Sequence, residues 1–269
     1  MEFYGLLGEK LSHSLSPLIH SEILKLINKE GAYKLFEVNK NNLEDFTRAV
    51  KLLKIKGTNV TIPYKEDIIK HIDIISEEAK RIGAINTVLL ENEVLYGYNT
   101  DYYGFGYMIK INNIEVKDKK AVILGNGGAC KGVLYYLLDN NIKSVYIVSR
   151  NPNRNAFNLE NVHVISYEDL KEVKGDIIIN STPVGMYPNV GKTPVSEDII
   201  QNFNIVMDLI YNPLDTMFLN TGKLLGKKSI GGLYMLIGQA VKAQEIWNKV
   251  EIEEEIIKEI YENIKLKLN

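Results

Sequence analysis

Short apolar runs alternate with amphipathic stretches along the whole chain. Ala121, Val122, Ile123 and Leu124 form a charge-free run, which suits a strand buried on both faces of a parallel sheet. Gly125, Asn126, Gly127 and Gly128 follow at once, and then Val133, Leu134, Leu137 and Leu138 recur at helical spacing. The order is strand, glycine turn, helix. Further strands are predicted over 144–148, 162–165, 176–180 and 205–208, with helices from 233 to about 247 and over 251–268. Upstream, 3–8, 33–38, 58–62 and a segment within 82–90 read as strands, and 43–53 as a helix. A helix also follows Pro17, with Ser16 near its N-cap. Residues 94–98 pair with the preceding strand as a hairpin across Glu91, Asn92 and Glu93, and helix capping is the bland reading of Asp101, at the start of the helix that follows. The pattern predicts an α/β protein with a doubly wound parallel sheet around the glycine turn.

Composition changes this picture little. The chain has 269 residues, 45% of them hydrophobic and 25% charged, enough for one large domain or two medium ones. A net charge of −2 gives no bulk attraction to nucleic acid or to an anionic membrane. Cys130 is the one cysteine, so no internal disulfide forms. The N-terminus lacks the basic start and long apolar core of a signal peptide, and no apolar run approaches membrane-spanning length. A cytoplasmic protein is expected, with no nucleic acid, membrane or metal partner.

The candidate chemistry begins at the glycine turn. There the backbone approaches a pyrophosphate closely, and a helix N-terminus offers free N–H groups. Cys130 stands where a third glycine of the full fingerprint would fall. A plain tight connection is the competing reading. The next strand ends in Ser149 and Arg150, with no acidic residue for a ribose 2′-hydroxyl. Arg150 and Arg154 suit a 2′-phosphate, which favours NADP over NAD; two solvated arginines are the alternative. Ser14 and Ser16 either cap a helix or bind a carboxylate. Asn59, Thr61 and Lys65 alternate towards one side of a strand end and suit a polyol, or Lys65 is a surface lysine. Asn86, in apolar surroundings, is structural glue or a ligand contact. The loop 180–186 follows a strand end and so should face a cofactor.

Eight motifs in order resemble the shikimate dehydrogenase family over the full length. They are SHSLSP (12–17), GTNVTIPYK (57–65), GAINT (83–87), GYNTDYYGF (97–105), GNGGA (125–129), NSTPVGM (180–186), DLIYNPLDT (208–216) and GGLYMLIGQA (231–240). The resemblance implies reversible, NADPH-dependent reduction of 3-dehydroshikimate to shikimate, on the route to chorismate and the aromatic amino acids. It implies Lys65 and Asp101 as the catalytic pair, with Lys65 the main acid/base and Asp101 orienting it. Ser14 and Ser16 would bind the substrate carboxylate, and Asn59, Thr61, Asn86, Tyr211 and Gln239 its ring and hydroxyls. Gly125, Asn126, Gly127, Gly128 and Ala129 would hold the pyrophosphate. Ser149, Arg150, Asn151 and Arg154 would lie at the adenosine end, Leu209 and Gly232 along the nicotinamide, and Glu77 at a further cofactor contact. The family fold implies two α/β domains with the active site in the cleft between them. A discontinuous substrate domain would span 1–100 and 233–269, and a Rossmann-type NADP domain 101–232. The loop SRNPNR (149–154) departs from the NRT that NADP-using members often carry.

Three rival readings stand beside it: a quinate/shikimate dehydrogenase using NAD or both cofactors, a non-catalytic dinucleotide sensor, which would need neither Lys65 nor Asp101, and a structural α/β protein whose glycine turn is only a turn. The terminal helix leaves a homodimer open.

Overall fold

The computed structural model describes residues 1–12, 14–152, 157 and 159–268. Arg154 lies outside the described residues. The chain divides into two compact units, residues 1–104 with 237–269, and residues 105–236. The resemblance implies a substrate domain of 1–100 with 233–269; the boundaries of the compact units fall within two helices, where Thr100 and Asp101 bond within the first unit while Phe105 and Met108 enter the core of the second.

The second unit is built on six parallel strands: β7 (Lys120–Leu124), β8 (Ser144–Val148), β9 (Val162–Ile165), β10 (Ile177–Asn180), β11 (Ile205–Asp208) and β12 (Lys228–Ile230). Their order is β12-β11-β10-β7-β8-β9, the doubly wound order with its switch point between β7 and β10. Both faces are covered. Ala121 and Ile123 enter one apolar cluster and Val122 and Leu124 another, as Ile177 and Ile179 do against Ile178. The first cluster includes Cys130, Val133, Leu134 and Leu137 of helix α5 (Gly128–Asp139); the second includes Phe218 and Leu219 of α7 (Met217–Leu224). Two-sided burial explains why these strands read as continuous apolar runs. In register, Leu124 lies level with Val148 and Asn180, and Asn180 with Asp208. The residues after them therefore emerge along one carboxyl-terminal edge.

The first unit holds a mixed sheet of order β2-β1-β3-β5-β6-β4: β1 (Glu2–Gly8), β2 (Gly31–Glu37), β3 (Gly57–Val60), β4 (Ile74–Ile75), β5 (Thr87–Glu91) and β6 (Val94–Tyr98). β3 and β5 pair antiparallel, and β5–β6 is a hairpin whose turn residues Asn92 and Glu93 take positive φ, 51° and 64°, the twist that a two-residue hairpin prefers. One apolar cluster gathers Leu7, Leu43, Val50, Val60, Ile68, Ile85, Val88 and Leu95; another joins Tyr4, Leu24 and Leu89 to Ala243 and Trp247. The remaining helices are α1 (Ser16–Leu26), α2 (Leu43–Leu52), α3 (Glu77–Ile82), α4 (Thr100–Ile111), α6 (Glu197–Ile200), α8 (Leu233–Asn248) and α9 (Glu254–Leu268). Among the described residues, no helix is long and apolar enough to cross a membrane.

Three local expectations are corrected. The strand at 58–62 ends at Val60, so Thr61 and Lys65 lie in the turn beyond it and owe nothing to strand alternation. Ser16 is the first residue of α1, Leu15 holds the cap position, and no side chain caps the helix. Asp101 does not cap α4; Asn99 Oδ1 accepts from Tyr102 N at 3.3 Å instead. The carboxylate of Asp101 is thereby left for other partners.

Candidate active site

In the first unit, polar side chains at the ends of β3 and β5 join into one hydrogen-bonded chain. Asn59 and Thr87 face each other across the antiparallel pair, and Asn59 Nδ2 donates to Thr87 Oγ1 at 3.0 Å. Thr87 Oγ1 lies 2.9 Å from Thr100 Oγ1, and Asn86 Oδ1 accepts from Thr100 N at 2.6 Å. Asn86 Nδ2 donates to Asp101 Oδ1 at 2.9 Å, and Lys65 Nζ donates to Asp101 Oδ2 at 2.5 Å. Both carboxylate oxygens are therefore committed, while one of three ammonium hydrogens is. The Lys65 and Asp101 side chains are 13% and 8% exposed, so the ion pair is largely shielded yet reachable.

The Lys65 main chain is held from two sides. Its carbonyl accepts from Ile85 N at 2.7 Å, and neighbouring Tyr64 is buried with its hydroxyl donating to Val38 O at 2.6 Å. At the other end of the chain, Tyr33 reaches across β1 and donates to Asn59 Oδ1 at 2.8 Å. Burial pushes the Tyr33 phenol well above its usual value, with a hydrogen bond from Ser16 opposing it. Ser14 Oγ donates to Ser16 Oγ at 3.1 Å and accepts from Ser16 N at 3.2 Å. His20 stacks on Tyr33 at 4.2 Å, and Gln244 fixes its Nδ1 at 2.9 Å. Burial lowers His20 to about 3, so its ring is neutral at working pH.

The second unit offers backbone rather than side chains. Gly125 takes φ +95°, and a Cβ there would stand 2.8 Å from Thr182 Cγ2, so only glycine fits this turn. Gly127 is the N-cap of α5, no side chain caps that helix, and a Cβ at 127 would meet nothing within 4 Å. The first N–H groups of α5, at residues that include Gly128 and Ala129, therefore have no side-chain cap. Asn126 Nδ2 donates to Ser149 Oγ at 3.1 Å, and Asn151 N donates to the same oxygen at 3.1 Å, which ties the glycine turn to the end of β8. Arg150 is exposed. Residues 149–152 carry no carboxylate. This donor set fits a phosphate-bearing dinucleotide. Cys130 is buried in the strand–helix contact, and burial pushes its thiol up to about 12.

The structure brings Ser14, Ser16, Asn59, Lys65, Asn86 and Asp101 together with the Tyr33–Asn59 contact. Thr61 lies in the turn between β3 and Lys65, held by Thr61 N donating to Leu7 O at 2.9 Å. Gln239 is half-buried on α8, in the first unit. Glu77 stands on the surface at the start of α3, paired with Lys80 at 2.7 Å and outside the hydrogen-bonded chain. Leu209, Tyr211 and Gly232 belong to the second unit; Gly232 N donates to Ile210 O at 3.0 Å, and burial raises the Tyr211 phenol. The sequence reading missed Thr87, Thr100 and Tyr33. The two threonines sit inside quoted motifs, where a hydroxyl beside an apolar run is a usable signal. Tyr33 gives no local signal, because its partner is 26 residues away.

Comparisons with known proteins extend this geometry. The family model for the shikimate dehydrogenase substrate binding domain matches residues 6–88. A shikimate dehydrogenase (NADP(+)) of Clostridium beijerinckii is 56% identical over 97% of both chains. Among solved structures, shikimate dehydrogenase 1 of Peptoclostridium difficile superposes with a TM-score of 0.96 at 54% identity, covering 100% of this chain and 99% of that one. A shikimate 5-dehydrogenase of Thermus thermophilus, in complex with NADP(H) and shikimate, superposes at 0.88 with 31% identity, covering 98% and 99%. With identity sustained over nearly the full length of its relatives, and with Lys65 and Asp101 joined in the first unit, this chain belongs to the shikimate dehydrogenase family.

Proposed function

We propose that the protein is an NADP-dependent shikimate dehydrogenase, interconverting 3-dehydroshikimate and shikimate in the cytoplasm on the route to chorismate and the aromatic amino acids. The observation that carries this reading is the shielded Lys65–Asp101 pair, in a chain 56% identical to a relative of that name. Reduction of a ketone needs a hydride and a proton. A nicotinamide supplies the hydride but no acid. Lys65 donates a hydrogen bond to the carbonyl and then the proton to the forming alkoxide; in the reverse direction it takes the hydroxyl proton. Asp101 holds the ammonium in place, and Asn86 holds Asp101.

Ser14 and Ser16 bind the substrate carboxylate, and Asn59, Thr61, Asn86, Tyr211 and Gln239 its ring hydroxyls. A site built on such partners rejects analogues that lack a hydroxyl. Gly125 to Ala129 and the start of α5 hold the pyrophosphate. Ser149, Arg150, Asn151 and Arg154 take the adenosine end, Leu209 and Gly232 line the nicotinamide, and Glu77 is a further contact. Residues 1–100 with 233–269 form the substrate domain on this reading, and 101–232 the NADP domain.

Initial rates of nicotinamide reduction with shikimate and quinate, each with NADP⁺ and NAD⁺, test the proposal. Shikimate with NADP⁺ is expected to exceed the other three combinations by far. Comparable rates with quinate or NAD⁺ would move the enzyme to a broader dehydrogenase class, and binding of NADP⁺ without turnover would favour a sensor. Light scattering separates monomer from homodimer.

A further inference from the structure

At the carboxyl edge of the second sheet lies a fully buried carboxylate, Asp208, that the mechanism above does not use. No charged group is among the influences on its ionisation. It takes three hydrogen bonds from three directions: Asn180 Nδ2 at 3.0 Å from the end of β10, Ile210 N at 3.0 Å from its own loop, and Thr216 Oγ1 at 2.7 Å from the cap of α7. Thr216 Oγ1 in turn accepts from Leu219 N at 3.3 Å. Asn180 is equally engaged. Its Oδ1 accepts from Thr182 N at 3.0 Å and from Thr182 Oγ1 at 2.7 Å, and its carbonyl accepts from Leu209 N at 3.0 Å.

These bonds reach four of the segments at the carboxyl edge of the sheet. Ser181 Oγ donates to Leu124 O at 2.8 Å, beside the Gly125 turn that Thr182 packs against. On the opposite side, a Cβ at Gly232 would stand 2.2 Å from Leu209 O, so the two backbones are in contact. The segments after β7, β10, β11 and β12 thus meet around one amide–carboxylate pair. A buried carboxylate without a cation is a poor way to gain stability alone, since an apolar side chain would fill the space without desolvating a charge. What the carboxylate adds is direction, because it accepts from three donors at fixed angles.

We propose that Asp208 is a positioning residue for the dinucleotide-linked reaction. It fixes the backbone of Leu209, Ile210 and Tyr211 against the Asn180 segment, and so sets where the nicotinamide-side surface stands. This rests on the dehydrogenase reading. Asp208→Asn keeps the size but turns one acceptor oxygen into a donor, set against donors from Asn180 or Thr216. Per folded enzyme, D208N is expected to lower kcat about 30-fold and raise KM for NADP⁺ about tenfold, the scale of a displacement near 1 Å. Thr216→Val is expected to move both constants the same way by about threefold, while Thr216→Ser, which keeps the donor, restores them.

Wild-type turnover of shikimate is measured first, so that failure of the dehydrogenase reading is registered separately. If the wild type has no turnover, the fluorescence-monitored Kd for NADPH on the same variants decides, and an unchanged Kd overturns the proposal. With turnover present, it is overturned if D208N keeps kcat and KM within about twofold per folded molecule, or if T216V matches T216S in both. Should D208N not fold, the T216V and T216S pair decides alone.

Discussion

The two units solve the same problem, placing polar groups beside a ligand, by opposite means. In the first, side chains hold side chains. The chain of bonds from Tyr33 through Asn59, Thr87, Thr100 and Asn86 to Asp101 and Lys65 depends on the identity of each residue. In the second, on the proposed reading, the groups offered to the ligand are main-chain N–H groups, and side chains matter by what they leave out: no Cβ at 125, no side-chain cap on α5, no carboxylate at 149–152. A side-chain network discriminates among hydroxyls and carries acid/base chemistry. A backbone cradle grips a phosphate that every dinucleotide shares. Acid/base chemistry and substrate specificity should therefore break in the first unit, and the binding and placement of the nucleotide in the second.

The largest expected effect tests that division. Lys65→Ala should lower kcat by about 10³-fold, the contribution of a placed acid/base, while Kd for NADPH changes little. A variant that keeps near-wild-type turnover would remove Lys65 from the mechanism. A comparable loss of NADPH affinity would show that the two sites are not separable.

The next effect concerns the one buried carboxylate of the second unit that is described without a cation. Burial raises Asp208 to about 6. A group that binds its proton more tightly when folded stabilises the fold fully below the unfolded value. That contribution is lost as pH rises through the folded one. The two values lie about two units apart, so roughly 3 kcal/mol is at stake. D208N removes this titration. The stability of wild type minus that of the variant, from urea unfolding at about pH 4 and about pH 7.5, should fall by about 2.5 kcal/mol, most of that amount. A difference that is flat with pH would mean that the carboxylate is not desolvated. If catalysis falls in D208N as its relative stability improves at neutral pH, positioning and stability are opposed at this residue.

Affinity itself should break at the turn. Gly125→Ala forces a Cβ into a positive-φ position and against Thr182, which costs about 1–2 kcal/mol. KM for NADP⁺ should rise about tenfold and KM for shikimate by less than about twofold. Equal rises in both would argue against a division of labour between the units.

The second unit was legible because its strands are buried on both faces and its turn is written in glycine, so local sequence carries the whole message. Ala121 to Leu124 and Gly125 to Gly128 needed no distant partner to be read. In the first unit, residues were legible as candidates but their geometry was not. Asn86 was open between glue and ligand contact; its bonds to Thr100 and Asp101 make it glue, whatever else it touches. Asp101 looked like a cap because capping is the commonest local use of an aspartate at a helix start, yet Asn99, two residues earlier, takes that role. Asp208 gives no local signal, since burial of a carboxylate follows from sheet register and not from its neighbours in sequence.

Tyr33 is the residue that sequence gave least reason to choose, and it supplies the smallest and most discriminating test. Tyr33→Phe keeps the ring that stacks on His20 and removes only the hydroxyl that donates to Asn59. A single hydrogen bond of this kind contributes about 1 kcal/mol. If the first unit works as one network, the loss reaches Asn59 and, through Ser16, the end proposed for the carboxylate. KM for shikimate should then rise about threefold to fivefold, while KM for NADP⁺ stays within about 1.5-fold and kcat within about twofold. If the polar residues act independently, the loss appears only as about 1 kcal/mol of stability, with both Michaelis constants unchanged. Urea unfolding beside the two KM values separates these outcomes. A rise confined to NADP⁺ would contradict the division, because Tyr33 belongs to the first unit and the glycine turn to the second.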